Sequence, residues 1–239
     1  MAFAFGQLWW GLTQPFAGIV ADRYGAGRVL LVGVSLVAIG TALIPFMTTT
    51  AGLIFAIGVL SAGGAGMAGP SVLMSATTRL VPPEKRGMAT GIVNAGGSFG
   101  QFVFAPIAQG ITAAAGWVAA IHSLALFTLL ALPAAWVLRG NSRQMTAGAA
   151  KGPVGAPGAA AAPVAAQSTR EAIGAAFRHS GFRLLAAGFF VCGFHVAFIA
   201  THLPGVVAAC QLPPAVGAWA LAVIGLFNIV GSFAMGWAC

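Results

Sequence analysis

About seven runs of roughly twenty apolar residues, divided by short gaps, leave this chain few ways to fold. The runs lie at roughly 2–21, 28–47, 51–75, 87–112, 116–138, 182–204 and 214–238. Twenty residues is about the length a helix needs to cross the hydrocarbon core of a bilayer. Strands would need alternating polarity, and these runs are apolar all round. Helix is then the open-chain form that satisfies every backbone polar group in lipid. Charged residues make up only 6% of the chain, against about 25% in a soluble domain. So few charges cannot solvate a surface in water. The fold class expected is an all-α membrane protein with about seven transmembrane helices. The 34 glycines fit it, because small residues let membrane helices approach closely.

The chain carries eleven Lys and Arg against three Asp and Glu. A net charge of +8 raises the question of nucleic acid. The basic residues form no groove-tracking stripe with interleaved aromatics, so no nucleic-acid partner is expected. They sit instead in or beside alternate gaps: Arg23 and Arg28, then Arg79, Lys85 and Arg86, then Arg139, Arg143, Lys151, Arg170, Arg178 and Arg183. The intervening gaps, around 47–50, 113–116 and 205–214, contain none. Cytoplasmic loops collect Lys and Arg, which predicts that Asp22 and Arg23 face the cytoplasm and Met1 the outside. A start outside without a basic signal sequence predicts a fragment, with further spans before Met1 and beyond Cys239. Cys192, Cys210 and Cys239 are few and unpatterned, so no disulfide framework, metal site or cofactor is expected. Residues 140–167 are rich in Ala, Gly and Pro and read as a flexible linker. After it, Ser168 or Thr169 can cap a helix in which Phe177 and Phe182 stand beside Arg178 and Arg183. That pattern predicts a short helix lying along the leaflet, against membrane lipid; plain linker is the alternative.

Gly18-Ile-Val-Ala-Asp22-Arg23-Tyr24-Gly25-Ala-Gly27-Arg28 resembles the loop signature between the second and third helices of the major facilitator superfamily. The long basic linker is similar to that family's central loop. The resemblance covers the whole chain, as the family's second to eighth helices. Two further stretches resemble its bacterial monocarboxylate and oxalate/formate porter branch. One is Pro82-Pro83-Glu84-Lys85-Arg86-Gly87-Met88-Ala89-Thr90-Gly91 with Asn94-Ala95-Gly96-Gly97. The other runs from Gly188 through Cys192-Gly193-Phe194-His195 to Thr201-His202-Leu203-Pro204. Residues 214–239 hold no basic residue, where members of that branch often place an arginine for the substrate carboxylate.

The resemblance implies a truncated major-facilitator-type helical bundle: 1–138 an N-terminal bundle lacking its first helix, 139–181 the cytoplasmic linker, 182–239 the start of a C-terminal bundle. It implies a secondary transporter in a bacterial inner membrane, moving a small organic solute, a carboxylate, by alternating access with proton symport or anion exchange. Within the class, the alternative is an efflux porter for a neutral or amphipathic solute. Outside it stand a channel and a non-transporting membrane subunit. A channel would need a pore loop or a charged ring. No enzyme is expected, because the spans offer no acidic residue for catalysis at depth.

Gly18, Asp22, Arg23, Gly25 and Arg28 form the candidate gating motif. Asp22 could meet a helix N-terminus on the other bundle, whose partial positive charge favours a carboxylate, with Gly18 permitting close approach; an ordinary solvated turn is the alternative. For a substrate or proton pathway the candidates are Gln7, Gln14, Asn94, Ser98, Gln101, His195, His202 and Asn228. Gln7 and Gln14 share a helix face that either lines a cavity or, at Gln14, takes up the carbonyl freed by Pro15. Asn94, Ser98 and Gln101 share a face apart from a ridge of Gly87, Gly91 and Ala95. Their alternative role is hydrogen bonding between helices. His195 and His202 also share a face, and histidine changes charge near physiological pH. His195 is the deeper of the two and His202 lies near the outer end. Asn228 stands mid-span, either a weak substrate contact or a partner for a neighbouring helix.

Overall fold

The computed structural model describes residues 2–140 and 169–238. Among them every regular element is helical. Helix α1, Ala2–Tyr24, leads to α2, Ala26–Leu43, and a 3-10 turn at Ile44–Phe46. The third run holds α3, Thr50–Leu53, a π-helical stretch at Ile54–Ser61, α4, Ala62–Met67, and α5, Pro70–Leu80. After a 3-10 turn at Pro83–Lys85 comes α6, Arg86–Leu129, then α7, Leu132–Gly140. Beyond the undescribed segment stand α8, Thr169–Arg178, α9, Ser180–Ala209, and α10, Pro214–Ala238. The linker expected over 140–167 and the cap expected at Ser168 lie almost wholly outside the described residues. By proximity, residues 218–238 group with 2–140, while 169–217 form a second unit.

Among the described residues five segments are long and apolar enough to cross a membrane, against the seven runs expected: Ala26–Phe46, Thr50–Thr77, Arg86–Trp136, Ser180–Ala209 and Pro214–Ala238. Two features account for the difference. Arg86–Trp136 has 51 residues, about 75 Å of helix at ~1.5 Å per residue, enough for two crossings. It breaks at Gly116, whose φ of 84° and ψ of 167° are open to glycine and strained for other residues. The gap expected at 113–116 has thus shrunk to one residue. Helix α1 has the length, 23 residues, but Gln7, Thr13, Gln14, Asp22 and Arg23 lower its apolarity.

The third run is not the single continuous helix expected. Pro70 opens α5, and a proline drives the residue before it out of helical conformation; Gly69 is extended at φ −72° and ψ 172°. Earlier in the run, the Ala62 amide donates to the Ile57 carbonyl five residues back, the wider π spacing. The Ser61 hydroxyl donates to the Ala56 carbonyl at 3.0 Å, again a step of five.

Glycine sets the packing of the first unit. A Cβ built on Gly64 would lie 2.6 Å from the Gly33 carbonyl oxygen and 2.7 Å from the Val37 amide nitrogen. One on Gly33 would lie 2.8 Å from the Gly64 carbonyl oxygen, and one on Gly40 2.5 Å from the Ser61 hydroxyl. The third run therefore rests backbone to backbone on α2. Its other side takes α1: Gly58 receives the Phe5 ring, Gly63 the Trp9 indole and Gly66 the Thr13 side chain. The buried cluster is correspondingly small-chained, with Ala17, Val29, Leu30, Val72 and Ala135. Large apolar side chains point outward, as a membrane protein's do: Leu8, Phe16, Phe189 and Phe190 are all exposed.

Gly64→Ala pushes a methyl against backbone atoms that cannot rotate away, and overpacking of this kind costs about 1–3 kcal/mol. A lowered melting temperature of the detergent-solubilised chain is the expected result. Gly11→Ala and Gly97→Ala, where a Cβ meets nothing within 4 Å, should melt no lower than the parent. Equal losses at all three positions would contradict the packing described.

Candidate functional site

The Asp22 turn is built by one glycine. Gly25 sits at φ 93° and ψ 138° between α1 and α2, a region that side chains strain. Its amide still donates to the Ala21 carbonyl at 2.9 Å, closing the last turn of α1. Asp22, Arg23 and Tyr24 are exposed, as is Arg28 in the first turn of α2. Arg23 suits its place, because a cation is favoured near a helix C-terminus. Asp22 gains nothing from that dipole, because a carboxylate at a helix C-terminus opposes it. Gly18 lies one turn earlier on the same face. A Cβ on it would meet nothing within 4 Å, so the close approach expected at Gly18 is not made among the described residues.

Gln7 is exposed and Gln14 half-buried. Neither is on the face of α1 that packs on the third run, which is carried by Phe5, Trp9 and Thr13. Gln14 does not take up the carbonyl freed by Pro15. The local side-chain bond in this part of α1 is the Thr13 hydroxyl donating to Trp9 at 2.7 Å.

The polar face of α6 meets α10. The Asn94 side-chain amide donates to the Ser232 hydroxyl at 2.9 Å. On either side, glycines bring the two backbones together. A Cβ on Gly91 would lie 2.7 Å from the Ser232 carbonyl oxygen and 3.2 Å from the Cα of Gly236. One on Gly225 would lie 2.8 Å from both the Ser98 carbonyl oxygen and the Phe102 amide nitrogen. The small ridge and the polar face expected as separate are therefore one seam. Gly87, Gly91, Asn94 and Ser98 follow steps of four, three and four, the spacing of one helix face. Gln101 is half-buried beside it, while Gly96 and Gly100 face open space. The partners Gly225, Ser232 and Gly236 were missed in the sequence. Steps of seven and four mark them, but the apolar run around them hides the pattern. Asn228 is exposed on α10.

His195 and His202 lie on α9 and are exposed. His195 Nδ1 is 3.0 Å from the Val191 carbonyl oxygen. A carbonyl only accepts, so Nδ1 carries the hydrogen, leaving Nε2 of the neutral ring as an acceptor. Phe194 stands edge-on to the His195 ring at 6.2 Å. His202 packs on Phe198 with ring centroids 4.7 Å apart.

The chemistry on offer is thus dispersed: a charged turn at the end of α1, a hydrogen-bonded glycine seam between α6 and α10, and two imidazoles on α9. Comparison with curated proteins finds no match. The family model of the Major Facilitator Superfamily matches residues 1–239. The helical architecture and the apolar exterior agree with it, and the chain belongs to the Major Facilitator Superfamily, a family of secondary transporters.

Proposed function

We propose that this transporter moves a small organic solute, a carboxylate, across a bacterial inner membrane with its charged loops in the cytoplasm. Transport runs by alternating access, residues 1–138 forming one bundle and 182–239 belonging to the other. The observation that carries the substrate class is His195. It stands midway along a 30-residue helix, its Nδ1 held by Val191 and its Nε2 able to take a proton. A protonated imidazole supplies the positive charge that a carboxylate needs at depth, and releases it when the proton leaves. Such a site couples solute to proton in one step. The remaining intramembrane polar groups, Gln7, Gln14, Asn94, Ser98, Gln101, His202 and Asn228, are functional candidates on the same ground.

Gating belongs to two places. Asp22 latches one state by meeting a helix N-terminus of the opposite bundle, a contact worth about 0.3–1 kcal/mol. The seam between α6 and α10 is the second, where the bundles slide or part. A second reading has one observation in its favour: no Lys or Arg stands within the middle of any described span. That suits an efflux porter for a neutral or amphipathic solute.

Reconstituted in liposomes, the whole protein with both helix bundles should take up radiolabelled monocarboxylate when the lumen is made alkaline. His195→Gln should lower that uptake about tenfold, the factor set by ~1.4 kcal/mol. Uptake that ignores both the pH gradient and His195→Gln would leave the neutral-solute reading standing instead. Asp22→Asn should insert normally yet transport more slowly; unchanged turnover would remove the latch. For the seam, a double-mutant cycle of Asn94→Ala and Ser232→Ala should return a coupling of about 0.6 kcal/mol, typical of interhelical bonds in membranes. A coupling of zero would mean that the bond contributes nothing to holding α6 on α10.

A further inference from the structure

At the elbow between α8 and α9 the sequence collects unusual chemistry. Helix α8 ends at Arg178, and His179 is extended at φ −78° and ψ 122° before α9 begins. The Phe177 and Phe182 rings meet edge to face across the elbow, 5.6 Å apart at 77°. Both rings are exposed, as are Leu184 and Leu185 one turn further on. Arg178, His179 and Arg183 are exposed around them. Beyond Glu171, in the first turn of α8, the sequence holds no further acidic residue.

The depth of this patch follows from length. Helix α9 has 30 residues, about 45 Å at ~1.5 Å per residue. The hydrocarbon core takes about 30 Å. Roughly 15 Å remains, or about five residues at each end lying among lipid headgroups. Ser180 to Leu184 occupy that layer at the start of the helix. Arg178, His179 and Arg183 then stand at phosphate depth, with the two phenyl rings at the hydrocarbon boundary. Aromatic rings favour that boundary, and arginines extend toward phosphate from just below it.

We propose that this elbow is a binding site for the phosphate of an anionic phospholipid. Arg178 and Arg183 grip the headgroup, and the Phe177–Phe182 pair wedges against the upper acyl chains. The site holds α8 on the leaflet surface and so fixes the angle at which α9 enters the bilayer. It does not depend on which solute is carried. Water is a poor occupant, because four large apolar side chains adjoin the cations. An acidic protein surface would satisfy the arginines, but at this depth acyl chains already surround the rings and leucines.

Each guanidinium near an anionic membrane surface contributes about fivefold to association, so the pair should favour anionic over zwitterionic lipid by about thirtyfold. The test is native mass spectrometry of the full chain released from phosphatidylcholine nanodiscs containing phosphatidylglycerol. The parent should retain phosphatidylglycerol out of proportion to its share, and Arg178→Gln with Arg183→Gln should lose that enrichment. Because all these side chains are exposed, the variants keep their fold, and an unchanged melting temperature checks it. Hydrogen exchange gives an independent reading: amides of residues 174–183 should be slower with phosphatidylglycerol than in phosphatidylcholine alone. Three results would overturn the proposal. One is enrichment unaffected by the double variant. Another is displacement of the lipid by inorganic phosphate at equal concentration, which marks a site for free anions. The third is equal exchange in both lipids, which marks a patch covered by protein or by nothing.

Discussion

Everything in the first unit depends on how close one backbone can come to another. In lipid there is no hydrophobic force between helices, because acyl chains are as apolar as leucine. What remains is dispersion, which falls steeply with distance, and hydrogen bonding. Both reward the removal of side chains from the interface. That is why Gly33 and Gly64 face each other across α2 and the third run, and why Gly40 sits over Ser61. It is also why, among the described residues, Val72 is the largest fully buried side chain. A core of this kind has little rotamer freedom to lose and little room to give.

The same rule explains where regular helix can be abandoned. Lipid forbids an unsatisfied carbonyl, yet the third run leaves α-helical spacing at Ile54–Ser61. It does so where neighbours are tightest. The Ser61 hydroxyl supplies an extra donor to the Ala56 carbonyl, and Ala56 itself is fully buried. One π turn also shifts the angular register of all that follows, and beyond it Gly63 and Gly66 meet α1 while Gly64 meets α2.

Span positions, the charged gaps, the Asp22 turn and the helix at Thr169–Arg178 were legible in the sequence, because each rests on local composition or on one glycine. The π segment was not, since it answers to the backbone of α2 rather than to its own residues. Within α6 the division expected between 112 and 116 is there, at Gly116, but it is narrower than a gap of several residues because one glycine lets the chain leave helical geometry at a single position. The seam between α6 and α10 hid differently. Asn94 and Ser98 were visible as a polar face and Gly87 and Gly91 as a small one. Their union shows only when Gly225, Ser232 and Gly236 are laid against them. Small and polar residues serve the same interface here, because a hydrogen bond between side chains as short as Asn and Ser needs the glycines to bring the helices near.

Helix α1 brings these constraints to one element. At about 100° per residue, its positions sort into three faces. Gly6, Trp9, Thr13 and Ala17 pack on the third run and α2. Leu8, Leu12, Phe16 and Ile19 are exposed and apolar, as a lipid-facing stripe must be. The third face carries Ala4, Gln7, Gly11, Gln14 and Gly18 and ends at Asp22. A polar stripe is costly against acyl chains and belongs against protein or water. Side chains as small as glycine make such a face a groove rather than a ridge. The face that cannot be given to lipid and the turn that gains nothing from its own helix dipole are therefore continuous. This is the physical reason that the proposed pathway and the proposed latch are assigned to the same side of α1.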